Sequence, residues 1–365
     1  METTDEQMDQ EMPDQENDQQ PMDSATNVQE DAKIETNEQP ATEENQEESK
    51  DEPRFEKIDW TDMPLLQSAT EKLAKMKYQI VKWLNDNSLR FRQCNKDFEV
   101  FKFIDQKHYD KLGDVMISWI QSFMVDYYKM TWVHIPFKSE LKEGKAQAPI
   151  FKSHDWETNT ERALVLIQGT GDVRAGIWAR SVCMNDTLDL GSKLPDIEFA
   201  TQYGFSVIVL NPNYNKDTDG TPVDGKIRGM NHHCNYAWKH FVEDGKCPAK
   251  ELFVVAHSAG GACIHEIIVN NEQTMIDKVK AVALTDAWHG DFARQLSDEG
   301  KKWAKQSCIA YDASSYPLDT PLERRYGKAK FPEVSAGHKK HVYTTGCARE
   351  SYLKWFIDRS ETLQK

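Results

Sequence analysis

The stretch Leu252-Phe-Val-Val-Ala-His-Ser-Ala-Gly-Gly261 is the most informative part of this sequence. It begins with a continuous apolar run rich in Val and Phe, which is typical of a strand covered on both faces. The run ends at Ser258 among small residues, and an amphipathic segment with Ile264, Ile267 and Ile268 follows at once. The pattern therefore predicts a strand, a tight turn that carries a serine, and a helix.

A serine on such a turn is typical of the nucleophile elbow of an α/β-hydrolase, whose motif is G-x-S-x-G. This chain departs from the motif because Ala256 stands at the position of the first glycine. Strand and helix backbones nearly touch at an elbow, so the neighbours of the serine must be small, and alanine meets that requirement. Two interpretations of Ser258 stay open: a catalytic nucleophile, or a serine on a turn that is only structural.

Further apolar runs alternate with helical segments around this stretch. Runs at residues 162–167, 205–210 and 279–284 predict strands that helices cover on both faces. Helical patterns lie between them, including a crossover helix over residues 230–245. The sequence therefore predicts the α/β class, with an α/β-hydrolase-like, doubly wound and mostly parallel sheet.

A helical N-terminal lead-in is predicted before these strands. Apolar residues recur at spacings of three and four over residues 69–88 and again over residues 107–129, which indicates two amphipathic helices. Residues 131–136 read as a short strand, and residues 139–149 as a polar, Lys-rich loop. We expect the aromatic side chains of the second helix to lie in the core.

Negative charge is concentrated at the N-terminus. Residues 1–55 hold 19 Asp and Glu against three Lys and Arg, so their net charge of −16 accounts for the −15 of the whole chain. The segment has no aromatic residue before Phe55, and it cannot bury enough apolar area to offset the entropy lost on ordering. We predict a disordered acidic tail over residues 1–55 and a single α/β-hydrolase-like domain over residues 56–365.

The remaining composition argues against several classes of protein. Seven scattered cysteines without a C-x-x-C pair fit free thiols in a reducing compartment better than a zinc site or a disulfide framework. No apolar run reaches the length of a membrane span, and no dinucleotide-binding glycine motif stands in the required frame. We expect a soluble intracellular protein with no metal, no cofactor and no membrane contact. Without a basic, aromatic-rich stripe, any contact with nucleic acid is expected to be indirect.

A serine nucleophile needs a base, a group that orients the base, and N–H donors for the oxyanion. In this fold the chain order is serine, acid, histidine. Asp286 stands immediately after the strand that ends at Leu284-Thr285 and is the candidate acid, with a helix N-cap or turn residue as the alternative. His341 is the candidate base; His338 and His289 are rivals, and an ordinary surface histidine is the alternative for each.

Other residues would complete this site. A glycine-rich turn follows the first buried strand, so the N–H groups of Thr170 and Gly171 are predicted to form an oxyanion hole with that of Ala259 at the start of the elbow helix. Such a turn is common in α/β proteins, so it indicates an oxyanion hole only when an elbow is predicted beside it. Arg174 and His257 are predicted to contact the substrate, with a salt bridge as the alternative for the arginine.

Five separated segments, taken in order, resemble one family, the argonaute-binding-protein-two domain family. Its animal branch is called cotranscriptional regulator Arb-two-A or family with sequence similarity 172, and the match covers roughly residues 65–360. The segments that carry the resemblance are Leu166-Ile-Gln-Gly-Thr-Gly-Asp-Val-Arg-Ala-Gly-Ile-Trp-Ala-Arg180, Val209-Leu-Asn-Pro-Asn213, Val255-Ala-His-Ser-Ala-Gly-Gly261, Leu284-Thr-Asp286 and Val334-Ser-Ala-Gly337.

The resemblance implies an α/β-hydrolase-like fold with a serine nucleophile at Ser258 and with Asp286 and His341 at the acid and histidine positions. It also implies a link to argonaute and small-RNA-dependent gene silencing, to heterochromatin and to co-transcriptional splicing, chiefly in the nucleus. Gln168 departs from the histidine expected before the loop glycine, which bears on the quality of the oxyanion hole.

Three functions follow as hypotheses. The first is a nuclear regulatory protein, with the cytoplasm as a further location, that binds argonaute-type, chromatin or splicing proteins through a hydrolase-like scaffold. The second is an active serine hydrolase on a carboxyl ester, amide or thioester that uses Ser258, His341 and Asp286. The third is a catalytically inactive hydrolase fold that binds a ligand.

Overall fold

The N-terminal part of the folded region combines helices with a small antiparallel sheet. The computed structural model describes residues 55–323 and 331–364. The three strands lie in the order β1-β2-β3. The predicted acidic tail, apart from Phe55, lies outside the described residues, so the tail and its boundary with the domain stay predictions. The first elements are β1 (Phe55–Glu56), α1 (Pro64–Lys75), β2 (Tyr78–Trp83), β3 (Leu89–Gln93) and α2 (Gln106–Asp126).

The helix predicted over residues 107–129 is confirmed as α2. Asp105 caps its N-terminus, because the carboxylate accepts a hydrogen bond of 2.7 Å from the backbone N–H of His108. Its apolar face is buried, including Trp119 and Phe123. The expectation that these aromatic side chains belong to the core is therefore confirmed.

The helix predicted over residues 69–88 is wrong in its second half. The helix α1 ends before Lys77, whose φ of 67° is left-handed, and the chain continues as β2. Tyr78 and Ile80, two residues apart, are both buried, as expected of a strand with one covered face. Over so short a segment, the spacing of apolar residues fits both the period of a helix and that of a strand. Pairing with β3 makes this segment a strand.

In the part of the chain that the structure describes, eight further strands form the central sheet, in the order β4-β5-β7-β6-β8-β9-β10-β11. The strand β5 is antiparallel to both of its neighbours, and all pairs among β6 to β11 are parallel. This topology confirms the predicted α/β-hydrolase-like, doubly wound and mostly parallel sheet. The strands are β4 (Thr131–Ile135), β5 (Ala148–Lys152), β6 (Arg162–Ile167), β7 (Phe205–Val209), β8 (Glu251–His257), β9 (Val279–Thr285), β10 (Cys308–Asp312) and β11 (Glu333–Ser335).

Helices cover both faces of this sheet, as the apolar strands require. Side chains of β8 point alternately to the two faces of the sheet, and each face has its own buried cluster. Phe253 and Val255 belong to the cluster that includes α1 and α2. Val254 and Ala256 belong to the cluster on the opposite face. No helix within the described ranges is long and apolar enough to cross a membrane. The remaining helices are α3 (Arg180–Asn185), α4 (Leu188–Gly191), α5 (Leu194–Gln202), α6 (Met230–Trp238), α7 (Gly260–Asn270), α8 (Glu272–Lys278), α9 (Asp298–Ser307) and α10 (Thr344–Arg359).

Candidate active site

Ser258 occupies a sharp turn between β8 and α7. Its φ of 54° is a left-handed conformation that non-glycine residues rarely adopt, as expected of the strained turn of a nucleophile elbow. The carbonyl oxygen of Ser258 accepts hydrogen bonds of 3.0 Å from the backbone N–H groups of Gly261 and Trp288. The turn is therefore tied both to the helix behind it and to the loop that follows β9.

The small residues around Ser258 are required by direct backbone contacts. A Cβ atom on Gly260 would lie 2.8 Å from the carbonyl oxygen of Gln168, and one on Gly169 would lie 2.7 Å from Cβ of Ser258. Real Cβ atoms do not approach other heavy atoms this closely. The glycine turn after β6 therefore lies directly against the elbow, as an oxyanion loop must.

We expect Gly261→Ala to destabilise the protein by about 1–3 kcal/mol, the usual cost of overpacking. The added Cβ would lie 2.1 Å from the carbonyl oxygen of Trp288, a backbone atom that cannot rotate away. Urea unfolding measures the difference. Gly225→Ala is the matched control, since no heavy atom lies within 4 Å of its Cβ position. Equal stability of the two variants would contradict this account of the elbow.

The candidate acid and the candidate base form a pair. Asp286 directly follows β9, and its Oδ2 lies 2.7 Å from Nδ1 of His341, in the turn that precedes α10. The other carboxylate oxygen accepts a hydrogen bond of 3.1 Å from Ala313 N, and Asp286 N donates to the carbonyl oxygen of Tyr311 at 2.8 Å. The end of the sheet thus holds the carboxylate so that it orients the imidazole ring.

His341 is placed next to the elbow, although no hydrogen bond between described residues joins its ring to Oγ of Ser258. The ring stacks on that of His257, the neighbour of Ser258, with centroids 4.6 Å apart and planes at 25°. Catalytic hydrogen bonds are often long in the absence of substrate and tighten only when substrate binds. The structure thus brings Ser258, Asp286 and His341 to one end of the sheet, and their catalytic roles stay predictions.

The rival histidines have other surroundings. His338 accepts a hydrogen bond of 3.1 Å from Lys340 N through Nδ1, and its ring packs on Tyr343. His289 is fully buried, with Nδ1 3.1 Å from the carbonyl oxygen of Gly290, and burial lowers its pKa. His341, by contrast, contacts the Asp286 carboxylate through Nδ1.

The predicted oxyanion loop is held by the asparagine motif after β7. Asn213 Nδ2 donates to the carbonyl oxygen of Gly169 at 2.7 Å, and Asn211 Oδ1 accepts a hydrogen bond of 3.0 Å from Ala175 N. The tip of the loop, with Thr170 and Gly171, is exposed. The asparagines were visible in the sequence as a motif, but only the structure shows that they support this loop.

Gln168 occupies the position at which a histidine was expected. Its side chain is fully buried, and Nε2 donates to the carbonyl oxygen of Val173 at 3.2 Å across the base of the loop. Its Oε1 has no hydrogen-bond partner among the described residues. A buried acceptor without a donor costs free energy, because it has lost its hydrogen bonds to water.

The two predicted substrate contacts differ in exposure. Arg174 is half-buried, donates to the carbonyl oxygen of Val173 at 2.8 Å, and has a pKa lowered by burial. His257 is 5% exposed and stacks with Trp178, their centroids 5.9 Å apart, as well as with His341. Both contacts with substrate stay predictions.

The protonation state of His257 follows from its burial. Burial, and next the nearby His341, lower its pKa to about 3, so the ring is neutral at pH 7. Nδ1 lies 2.7 Å from the carbonyl oxygen of Thr285, which can only accept, so Nδ1 carries the proton. A neutral His257 can support the ring of His341 without adding a second positive charge beside it.

The ring stack continues into a buried charge network that sequence reasoning missed. Nζ of Lys193 lies 4.3 Å from the centre of the Trp178 ring and 2.5 Å from Oδ1 of Asp196. Asp196 also accepts hydrogen bonds from Nε of Arg349 at 2.8 Å and from the hydroxyl of Tyr352 at 2.5 Å. Burial lowers the pKa of Lys193 to about 7. The three-residue spacing of Lys193 and Asp196 was the one local signal, since the other partners lie more than 150 residues away.

The chain matches the model of the Arb2 domain over residues 69–221 and 216–318, a match that ends before His341. It is 30% identical over 307 aligned residues to the cotranscriptional regulator ARB2A of Homo sapiens, a match that covers 70% of this chain and 72% of that protein. The ARB2A homolog of Dictyostelium discoideum is 33% identical, with coverage of 71% and 74%. Among solved structures, a histone deacetylase from Saccharomyces cerevisiae overlaps with a TM-score of 0.46 at 11% identity, covering 69% of this chain and 98% of the other.

Proposed function

Because this chain belongs to the Arb2 domain family, we propose that it is a nuclear regulatory protein of co-transcriptional processes, built on an α/β-hydrolase-like scaffold. The family predicted from the five sequence segments is confirmed by that membership. The observation that carries the proposal is that relatives matched over seven tenths of this chain are named cotranscriptional regulators. The same names favour the nucleus. The cytoplasm is proposed as a further location.

The proposed partners are argonaute-type, chromatin or splicing proteins, and the proposed processes are small-RNA-linked gene silencing, heterochromatin formation and co-transcriptional splicing. These proposals are supported by the resemblance of the five sequence segments to the argonaute-binding-protein-two domain family. Residues 56–365 are close to neutral overall and carry no basic, aromatic-rich stripe, so contact with nucleic acid would pass through these proteins. The acidic residues 1–55 offer a further contact for basic partners.

Affinity purification of the tagged full chain tests this proposal. Nuclear and cytoplasmic fractions would be compared, with and without ribonuclease, against a tag-only control. We expect argonaute, chromatin or splicing proteins to be enriched from the nuclear fraction and to remain after ribonuclease treatment. Their absence from both fractions would contradict the proposal, and loss on ribonuclease treatment would contradict direct protein contact.

A second candidate function, serine hydrolysis, is favoured by one specific observation. The Asp286–His341 pair at 2.7 Å lies beside a serine at a left-handed elbow. In this candidate His341 takes the proton of Ser258 Oγ, and the oxygen attacks the carbonyl carbon of an ester, amide or thioester. The N–H groups of Thr170, Gly171 and Ala259 would stabilise the oxyanion.

Covalent labelling by a fluorophosphonate probe tests the second candidate. The Oγ of an activated serine attacks phosphorus and fluoride leaves, so a stable adduct marks the nucleophile. Labelling of the wild type that is lost in Ser258→Ala supports hydrolysis. Folded wild-type protein that stays unlabelled contradicts it and favours the catalytically inactive, ligand-binding fold.

A further inference from the structure

A cavity of about 520 Å³ lies away from the elbow, on the N-terminal side of the fold. The C-terminal end of α2, the small sheet and the segments around α4 and α5 line it, and none of its lining residues is Ser258, Asp286 or His341. Its volume is in the range of sites for small organic ligands. Neither the family resemblance nor the hydrolase candidate assigns it a role.

Aromatic rings form one part of the cavity wall. Trp60 and Phe123 are 8% and 5% exposed, and their rings meet at 76° with centroids 5.8 Å apart. Tyr127 and Tyr128 meet at 88° with centroids 5.1 Å apart, and Tyr127 is 47% exposed. Rings held at right angles present both faces and edges, and the negative faces attract cations.

Carboxylates form another part of the same wall. Glu56, Asp189 and Glu198 line the cavity, and among its described lining residues Lys82 is the one cationic side chain. No salt bridge between described residues engages any of these three carboxylates. Glu198 is close enough to Tyr128 to accept a hydrogen bond from its hydroxyl, and burial together with this carboxylate raises the pKa of the tyrosine. Glu198 also accepts a hydrogen bond of 2.9 Å from Nε2 of Gln202. The cavity therefore combines aromatic ring surface with carboxylates that form hydrogen bonds but no salt bridge between described residues.

We propose that this cavity binds an alkylated ammonium group of the trimethylammonium type. Such a group carries a positive charge spread over methyl groups, so it sheds water more readily than a bare ammonium and still attracts aromatic faces and carboxylates. A neutral apolar ligand would cover the carboxylates without compensating their charge, and an anion would be repelled. The carboxylates and aromatic rings of the cavity wall therefore favour a ligand that carries both a positive charge and methyl groups.

Isothermal titration of the full chain tests the cavity. Choline is the free probe, and 3,3-dimethylbutan-1-ol, its neutral isostere, is the control for charge. N-acetyl-trimethyllysine amide presents the same group on a peptide side chain, with the unmethylated lysine derivative as the control for the methyl groups. We expect each trimethylammonium probe to bind about 3- to 30-fold tighter than its control. The tighter of the two probes identifies the source, a small quaternary amine or a methylated side chain.

Variants of one exposed and one partly buried lining residue locate the binding. Tyr127→Ala and Glu198→Gln are expected to weaken binding of the preferred probe by about 3-fold or more, whereas Tyr127→Phe keeps the ring and the affinity. Tyr316→Ala, at a tyrosine outside the cavity that is 60% exposed, is the matched control. Equal binding of the charged and neutral probes, no binding of either trimethylammonium probe, or unchanged affinity in Tyr127→Ala would each overturn the proposal.

Discussion

Asp286→Asn is expected to slow the labelling of Ser258 by a fluorophosphonate about 10⁴-fold, the loss seen when the orienting acid of a serine triad becomes an amide. An asparagine can still accept from Ala313 N through Oδ1, but its amide then donates to Nδ1 of His341. That hydrogen bond moves the imidazole proton to Nε2. The ring can then no longer take the serine proton, although the fold is kept.

Two histidine variants provide matched controls for this prediction. His341→Gln should lose labelling to a similar degree, whereas His338→Gln should keep it, because His338 is held by Lys340 N rather than by Asp286. Labelling rates are measured under single-turnover conditions, and thermal unfolding verifies that each variant is folded. Labelling at the wild-type rate in Asp286→Asn would refute the proposed triad, even if Ser258 itself is modified.

Asp196→Ala is expected to destabilise the protein by about 3–5 kcal/mol, since it leaves buried cations without their partner. Asp196 is fully buried and pairs with both Lys193 and Arg349. Taking a charge out of water is costly, and only the opposite charge and its hydrogen bonds offset that cost. The loss is a large part of the total stability of a typical domain.

Asp172→Ala is the matched control for Asp196→Ala. Asp172 also pairs with an arginine, Arg180, at 3.6 Å, but its side chain is 76% exposed. Exposed pairs contribute little, so this variant should change the free energy of unfolding by less than about 1 kcal/mol. Urea denaturation of the two variants gives the comparison. A loss below 1 kcal/mol for both would show that the buried network does not stabilise the fold.

The same network bears on the candidate active site. Lys193 lies against Trp178, Trp178 stacks with His257, and His257 stacks with His341. A continuous series of contacts therefore links a buried ion pair to the candidate base. Part of any loss of labelling in Asp196→Ala would come from a displaced His341, so labelling of this variant is informative only where it is still folded.

Local sequence patterns were sufficient to predict the central strands of the sheet. They were insufficient to predict several of the strands on the N-terminal side of the fold. The strands over 162–167, 205–210 and 279–284 were predictable because they are buried on both faces and consist of continuous apolar runs. Strand β5, by contrast, begins within a segment predicted to be a polar loop. It has only five residues, including Pro149, and its place in the sheet depends on pairing with β4 and β7.

The elbow was predictable from the local sequence, because the requirement for small residues beside Ser258 and the change from strand to helix both involve neighbouring residues. The sequence also identified candidates for the acid and the base. Asp286 follows a predicted strand, and His341 follows a predicted change from strand to loop. The pairing of Asp286 with His341 could be seen only in the folded chain, because the two residues lie 55 positions apart and meet only when the sheet has formed. The same holds for the charge network, the neutral state of His257 and the aromatic cavity. All of these depend on burial, and burial is a property of the packed chain.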